Sequence, residues 1–254
     1  MGIIKATVDE QGKGQFNDGE IIENKPIGFP QDGGKLRPYS NIVYWAHART
    51  DVGSTIGEHP HQGFEILSFV LKGNLEHYDS KQDSWSPLNT GDVQIIRAGN
   101  GISHSERLNK GAHMFQIWFD PDLANTMYNP ASYDDYAAET IATAEEAGYK
   151  VKIYAGVGGV IRLESEGISI VEYSFEAGTH KLDASAASVY SIFQMEGSSK
   201  LGAGDDSETL ETGDFAKVDQ SEALVIDCDA ACKYFVIESP LRPSYRTYSE
   251  MQTS

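Results

Sequence analysis

Two short runs place ligand-type side chains two residues apart: His59-Pro60-His61 and His104-Ser105-Glu106. Positions two apart on an extended chain share a face, so each run can project a pair of side chains into one interior. Three imidazoles and a carboxylate meeting there would suit a first-row divalent ion. An octahedral ion with four protein ligands keeps two positions for water, substrate or dioxygen. Single histidines also fill ordinary surfaces and cores, and the other four, His47, His77, His113 and His180, have no second histidine at that spacing.

These residues need a scaffold of strands, and strand signals dominate. Alternating apolar runs at 41–46, 64–71, 93–96 and 115–119 are each bounded by Gly, Asn or Asp. Phe115 and Trp118 in the last run read as core. One segment, 134–146 (DDYAAETIATAEE), reads as a helix because it is rich in Ala and Glu and follows Asn129-Pro130.

Beyond that segment the rhythm restarts in register. Val70-Leu71-Lys72-Gly73 followed by Gly91-Asp92 is echoed by Gln194-Met195-Glu196-Gly197 followed by Gly213-Asp214. The strand FQIWFDP at 115–121 is echoed by YFVIESP at 234–240. This internal repeat predicts two similar β-barrels in tandem with a boundary near 122–150. In the second half only His180 falls near the His-x-His position, so that half is expected to carry no metal. The acidic run Asp205, Asp206, Glu208 and Glu211 reads as a solvated turn.

The chain has 254 residues, with 38 Asp+Glu against 20 Lys+Arg and a formal net charge of −18. Such an excess of carboxylates repels polyanions, which argues against nucleic acid and anionic membrane surfaces as partners. No apolar run approaches the roughly 20 residues of a membrane-spanning helix, and the first residues lack the apolar core of a signal peptide. The expectation is a cytoplasmic protein whose two cysteines, Cys228 and Cys232, are reduced.

The stretches His59-Pro60-His61-Gln62-Gly63-Phe64-Glu65, Leu71 to Ser80, Gly91-Asp92-Val93-Gln94, and Ala98-Gly99-Asn100-Gly101-Ile102-Ser103-His104-Ser105-Glu106 resemble the pirin family of the cupin superfamily. The resemblance implies an all-β bicupin: two tandem antiparallel β-barrels of the double-stranded β-helix type with a short helical linker. Residues 1–121 would form the metal-binding barrel, 122–150 a partly helical linker, and 151–254 a cupin-like barrel without a metal. It also implies a metal held by His59, His61, His104 and Glu106, with Fe(II) the first choice and Mn, Ni, Cu or Co as alternatives. General cupins take a ligand Glu four residues after the second His, where Glu65 stands. The pirin pattern takes it from Glu106, which leaves Glu65, and with it His77, to support the ligands from behind.

The implied activity is a dioxygenase of the quercetinase kind acting on a flavonol-like aromatic and dioxygen, with Glu106 as the catalytic proton acceptor. The alternative that the same resemblance carries is a non-enzymatic, iron-binding regulator that responds to redox state and binds a protein partner.

Overall fold

The computed structural model describes residues 2–252, nearly all of them in strands, turns and loops. The chain opens with β1 (Gly2–Ala6). It continues through β2 (Gly12–Phe16), β3 (Ile21–Ile27), β4 (Ile42–Arg49), β5 (Ser54–His61), β6 (Glu65–Lys72), β7 (Asn74–Asp79), β8 (Ser84–Asn89), β9 (Val93–Arg97), β10 (Ile102–Leu108) and β11 (His113–Phe119). A single helical turn, α1 (Leu123–Thr126), precedes β12 (Ser132–Tyr136).

The second series is β13 (Ala142–Glu146), β14 (Tyr149–Ala155), β15 (Ser169–Phe175), β16 (Gly178–Asp183), β17 (Ser188–Glu196), β18 (Ser198–Ala203), β19 (Asp206–Glu211), β20 (Phe215–Asp219), β21 (Ala223–Cys228) and β22 (Cys232–Pro240). A short C-terminal helix, α2 (Tyr248–Gln252), follows.

The chain divides into two units. The first comprises 11–140 with 245–252, and the second comprises 141–244 with 2–10. In the first, a seven-stranded sheet in the order β12-β9-β6-β11-β4-β3-β2 packs on a four-stranded sheet β5-β10-β7-β8. The second repeats the plan strand for strand, β1-β20-β17-β22-β15-β14-β13 with β16-β21-β18-β19. All pairings between strands are antiparallel. The chain is thus a bicupin, and each unit is a pair of sheets rather than one closed barrel.

Alternation builds each core. In the first unit Ala48, Ile56, Val70, Leu75, Leu88, Leu108 and Met114 meet between the sheets. In the second, Ile192, Leu201, Leu210, Val218, Ile226 and Val236 do so. The repeated motif makes the same bonds in both. Gly91 N–H donates to Val70 O at 2.8 Å, and Gly213 N–H donates to Gln194 O at 2.8 Å. Asp92 and Asp214 each accept a backbone N–H from the residue three before. Gly73 (φ 72°) and Gly197 (φ 76°) turn the β6–β7 and β17–β18 corners in the left-handed region.

The helix expected at 134–146 does not form. Those residues lie in β12, a 3-10 turn at Ala138–Thr140, and β13. An isolated helix of this length is marginal without an apolar face to bury, whereas a sheet edge offers immediate partners. β12 pairs with β9, Gln94 donates to Asp135 at 2.7 Å and Arg97 to Asp134 at 2.7 Å. The units also depart from the expected boundaries at 121 and 150, because each takes in one end of the chain. Tyr245 and Tyr248 bond to Asp120 in the first unit, and β1 pairs with β20 in the second.

Candidate metal centre

His59 and His61 stand on β5, and His104 stands directly opposite His59 on β10. The register between these strands slips between His104 and Glu106, whose partners are His59 and Ile56. This bulge at Gly57-Glu58 turns His59 inward, a common device beside functional sites. Ring nitrogens of His59, His61 and His104 all lie within 4.8 Å of one another. Among the described residues no other group of three His, Cys, Asp or Glu converges in this way.

One hydrogen bond fixes a tautomer. His59 Nδ1 lies 2.8 Å from Gly57 O, which can only accept, so Nδ1 carries the proton and Nε2 is a bare lone pair. His104 Nε2 faces that lone pair at 3.1 Å, and His104 Nδ1 lies 3.3 Å from His77 Nε2. His77 Nδ1 in turn points to Asp79 Oδ2 at 3.9 Å. With its Nδ1 proton donated to His77 Nε2, His104 would turn a second bare Nε2 to the centre. His61 Nε2 is buried with no hydrogen-bond partner. Three ring nitrogens within 4.8 Å of one another, one of them orphaned, form a donor set that fits a metal ion.

Burial lowers the proton affinity of three of these rings, His61, His77 and His104. It pushes His61 down to about 4, with His59 as a like-charged neighbour, and His104 well below its ordinary value. His77 falls to about 4 for the same reason, against the pull of Asp79. These three imidazoles are therefore neutral at pH 7, the form in which a ring nitrogen can act as a ligand.

Glu106 is completely buried but lies outside the three-nitrogen set. Ser68 on β6 donates to one of its oxygens at 2.7 Å and Gln116 on β11 donates to the other at 2.5 Å. Burial raises its pKa against those bonds and against nearby His59. It shares with His59 and His61 a cavity of about 400 Å³ that also takes in Glu23, Lys25, Phe29, Tyr44, Gln116 and Trp118.

Glu65 is in an ion pair with Arg97, 3.7 Å away. The expectation that Trp118 is core is corrected: it is half-buried, its ring centroid 4.8 Å from that of His61, and it walls the cavity. Phe115 is core, fully buried. Gln116 was the readable signal, a polar residue inside an apolar strand with the parity of Trp118. Glu23, Lys25 and Tyr44 lie outside the motif and were missed. In the second unit His180 bonds to Glu176 O at 2.8 Å and packs on Phe175.

A cluster of three histidines on the small sheet of a bicupin's first unit defines a cupin of the metal-binding type. Residues 35–119 match the Pirin family model. The chain is 37% identical over 157 residues to Pirin-1 of Arabidopsis thaliana, covering 60% of this chain and 50% of that protein. It is 40% identical over 75 residues to quercetin 2,3-dioxygenase of Escherichia coli K12, covering 28% of this chain and 32% of that protein. These matches span half or less of the relatives' own length. The fold of a bacterial pirin from Escherichia coli, solved in complex with nickel(II), superposes with a TM-score of 0.76. That match has 20% identity and covers 94% of this chain and 99% of the other. Residues 35–119 thus carry a pirin-type domain, on a bicupin fold shared with a solved bacterial pirin.

Proposed function

We propose that this protein is a metal-dependent dioxygenase that acts on a flavonol-like aromatic, with Fe(II) as the ion and His59, His61, His104 and Glu106 as its ligands. The observation that carries the reading is the convergence of the His59, His61 and His104 ring nitrogens within 4.8 Å of one another, with the His61 nitrogen unpartnered, beside a cavity walled by aromatic rings. The name of the Escherichia coli relative supports the substrate class. The bound ion would supply Lewis acidity and open positions for the substrate oxygen and dioxygen; Mn, Ni, Cu and Co satisfy the same donors.

The chain's own residues do the rest. Trp118, Phe29 and Tyr44 offer flat apolar walls that suit a fused-ring ligand. Glu106, raised by burial, is the proton acceptor for an enolic hydroxyl delivered to the centre, and Ser68 and Gln116 hold its carboxylate in position. His77 holds His104 in the ligand tautomer, as outer partners of metal-bound imidazoles do.

The test is elemental analysis of the purified protein together with oxygen uptake in the presence of quercetin. Stoichiometric metal with quercetin-dependent uptake is the expected result. Stoichiometric metal without uptake overturns the enzymatic reading in favour of a redox-responsive regulator with a protein partner. Absence of metal after reconstitution overturns both.

A further inference from the structure

Glu23 on β3 is 5% exposed, yet it faces the cavity that holds His59, His61 and Glu106. The Tyr44 hydroxyl donates to its Oε1 at 3.3 Å, and Lys25 Nζ lies 3.4 Å from Oε2. Lys25 is anchored by Asp32 at 2.7 Å, and Asp32 accepts the Phe29 N–H at 2.8 Å. Gly14 on β2 pairs with Glu23, and a Cβ there would run into the Glu23 carboxylate and lie 2.8 Å from Lys25 Nζ. The strand beside the acid is thus bare where the charged pair sits.

A buried ion pair is weak evidence for stability, since well-packed apolar residues serve as well or better. A carboxylate with one phenol and one ammonium retains lone pairs that a ligand hydroxyl can reach. The spacing is also right for a fused-ring ligand. The Tyr44 ring lies 4.9 Å from Trp118, and Trp118 lies 4.8 Å from His61. Tyr44 is therefore at most two ring contacts from the His61 imidazole, and with Glu23 it lies within reach of a planar ligand that runs along Trp118 with one end at the metal.

We propose that Glu23 and Tyr44 form a hydroxyl-reading point that selects planar polyphenols with a hydroxyl on the ring remote from the metal. This rests on the flavonol reading above. Glu23 accepts the remote hydroxyl's proton in a hydrogen bond, Tyr44 orients Glu23, and Lys25 holds its other oxygen. A site built to hydrogen-bond a hydroxyl discriminates strongly against an analogue that lacks it, because its polar groups are then left unpaired.

The experiment titrates nickel(II)-loaded protein under anaerobic conditions with quercetin and with 3-hydroxyflavone, following tryptophan fluorescence. 3-Hydroxyflavone keeps the hydroxyl and carbonyl pair that engages the metal and lacks the remote hydroxyls. Wild type should bind quercetin at least about tenfold more tightly. Tyr44→Phe and Glu23→Gln should each bring the two affinities to within about threefold by weakening quercetin alone. Nickel content and 3-hydroxyflavone affinity should hold and so report an intact cavity. Equal affinities in wild type, or a preference that persists in Tyr44→Phe, overturns the proposal. Binding of 3-hydroxyflavone without a preference for quercetin leaves the flavonol reading standing, whereas binding of neither compound overturns both.

Discussion

The His59 imidazole shows how much of the centre is set before any ion arrives. Its Nδ1 is committed to Gly57 O, so only Nε2 can act as a ligand, and the His59→Ala, His61→Ala double variant should purify without metal while staying folded. Elemental analysis and circular dichroism check both halves of that expectation. Glu106→Gln keeps the shape and the Ser68 bond but removes the charge, and should lower both metal affinity and turnover. Loss of a general base alone costs on the order of 10² to 10⁴ in rate. Glu65→Gln should leave the metal in place, because Glu65 is engaged with Arg97. The three histidines were legible because spacing of two is a strand signature. Glu23 was not, since nothing in ENK at 23–25 distinguishes a cavity wall from a solvated strand until β3 is paired with β4.

At the scale of elements, the repeat was legible because turn chemistry travels with it. Lys72-Gly73 and Glu196-Gly197, each with its Gly-Asp downstream, make the same corner and the same backbone bonds. The 134–146 segment was misread because local helix propensity is a weak prior and an open strand edge overrode it. That edge rests on the Arg97 bond to Asp134, so Arg97→Ala should destabilise the first unit. It also strips a buried Glu65 of a cation, a class of change that costs on the order of 3 kcal/mol. Urea denaturation of the metal-loaded protein measures it, and the slope should be unchanged if the native state stays compact.

Across the whole molecule, buried neutral histidines tie stability to pH. His47 is pushed down to about 3, chiefly by burial with Arg49 nearby, and His61 and His77 to about 4. The unfolded chain binds protons near 6.5, so between these values the unfolded state holds more protons, and stability falls as pH drops below 6.5. Each such group contributes a slope of about 1.4 kcal/mol per pH unit. Metal-free protein should therefore lose urea resistance steeply from pH 7 to pH 5, and His47→Gln should flatten that loss. Truncation after residue 244 should lower the thermal midpoint, because it removes Tyr245 and Tyr248, which bond to the fully buried Asp120.

The pairing of β1 with β20 bears on how the chain is made. Gly2 lies opposite Asp219, so β1 finds its partner only after some 200 further residues have been synthesised. At roughly 5–20 residues per second that is a wait of about 10 to 40 s, during which β1 is an unpaired apolar strand. In the first unit the equivalent edge is closed by β12, which begins only 35 residues after β9 ends, so that unit can seal its edge early. A bulky N-terminal fusion would accordingly burden the second unit, the one farthest from it in the order of translation.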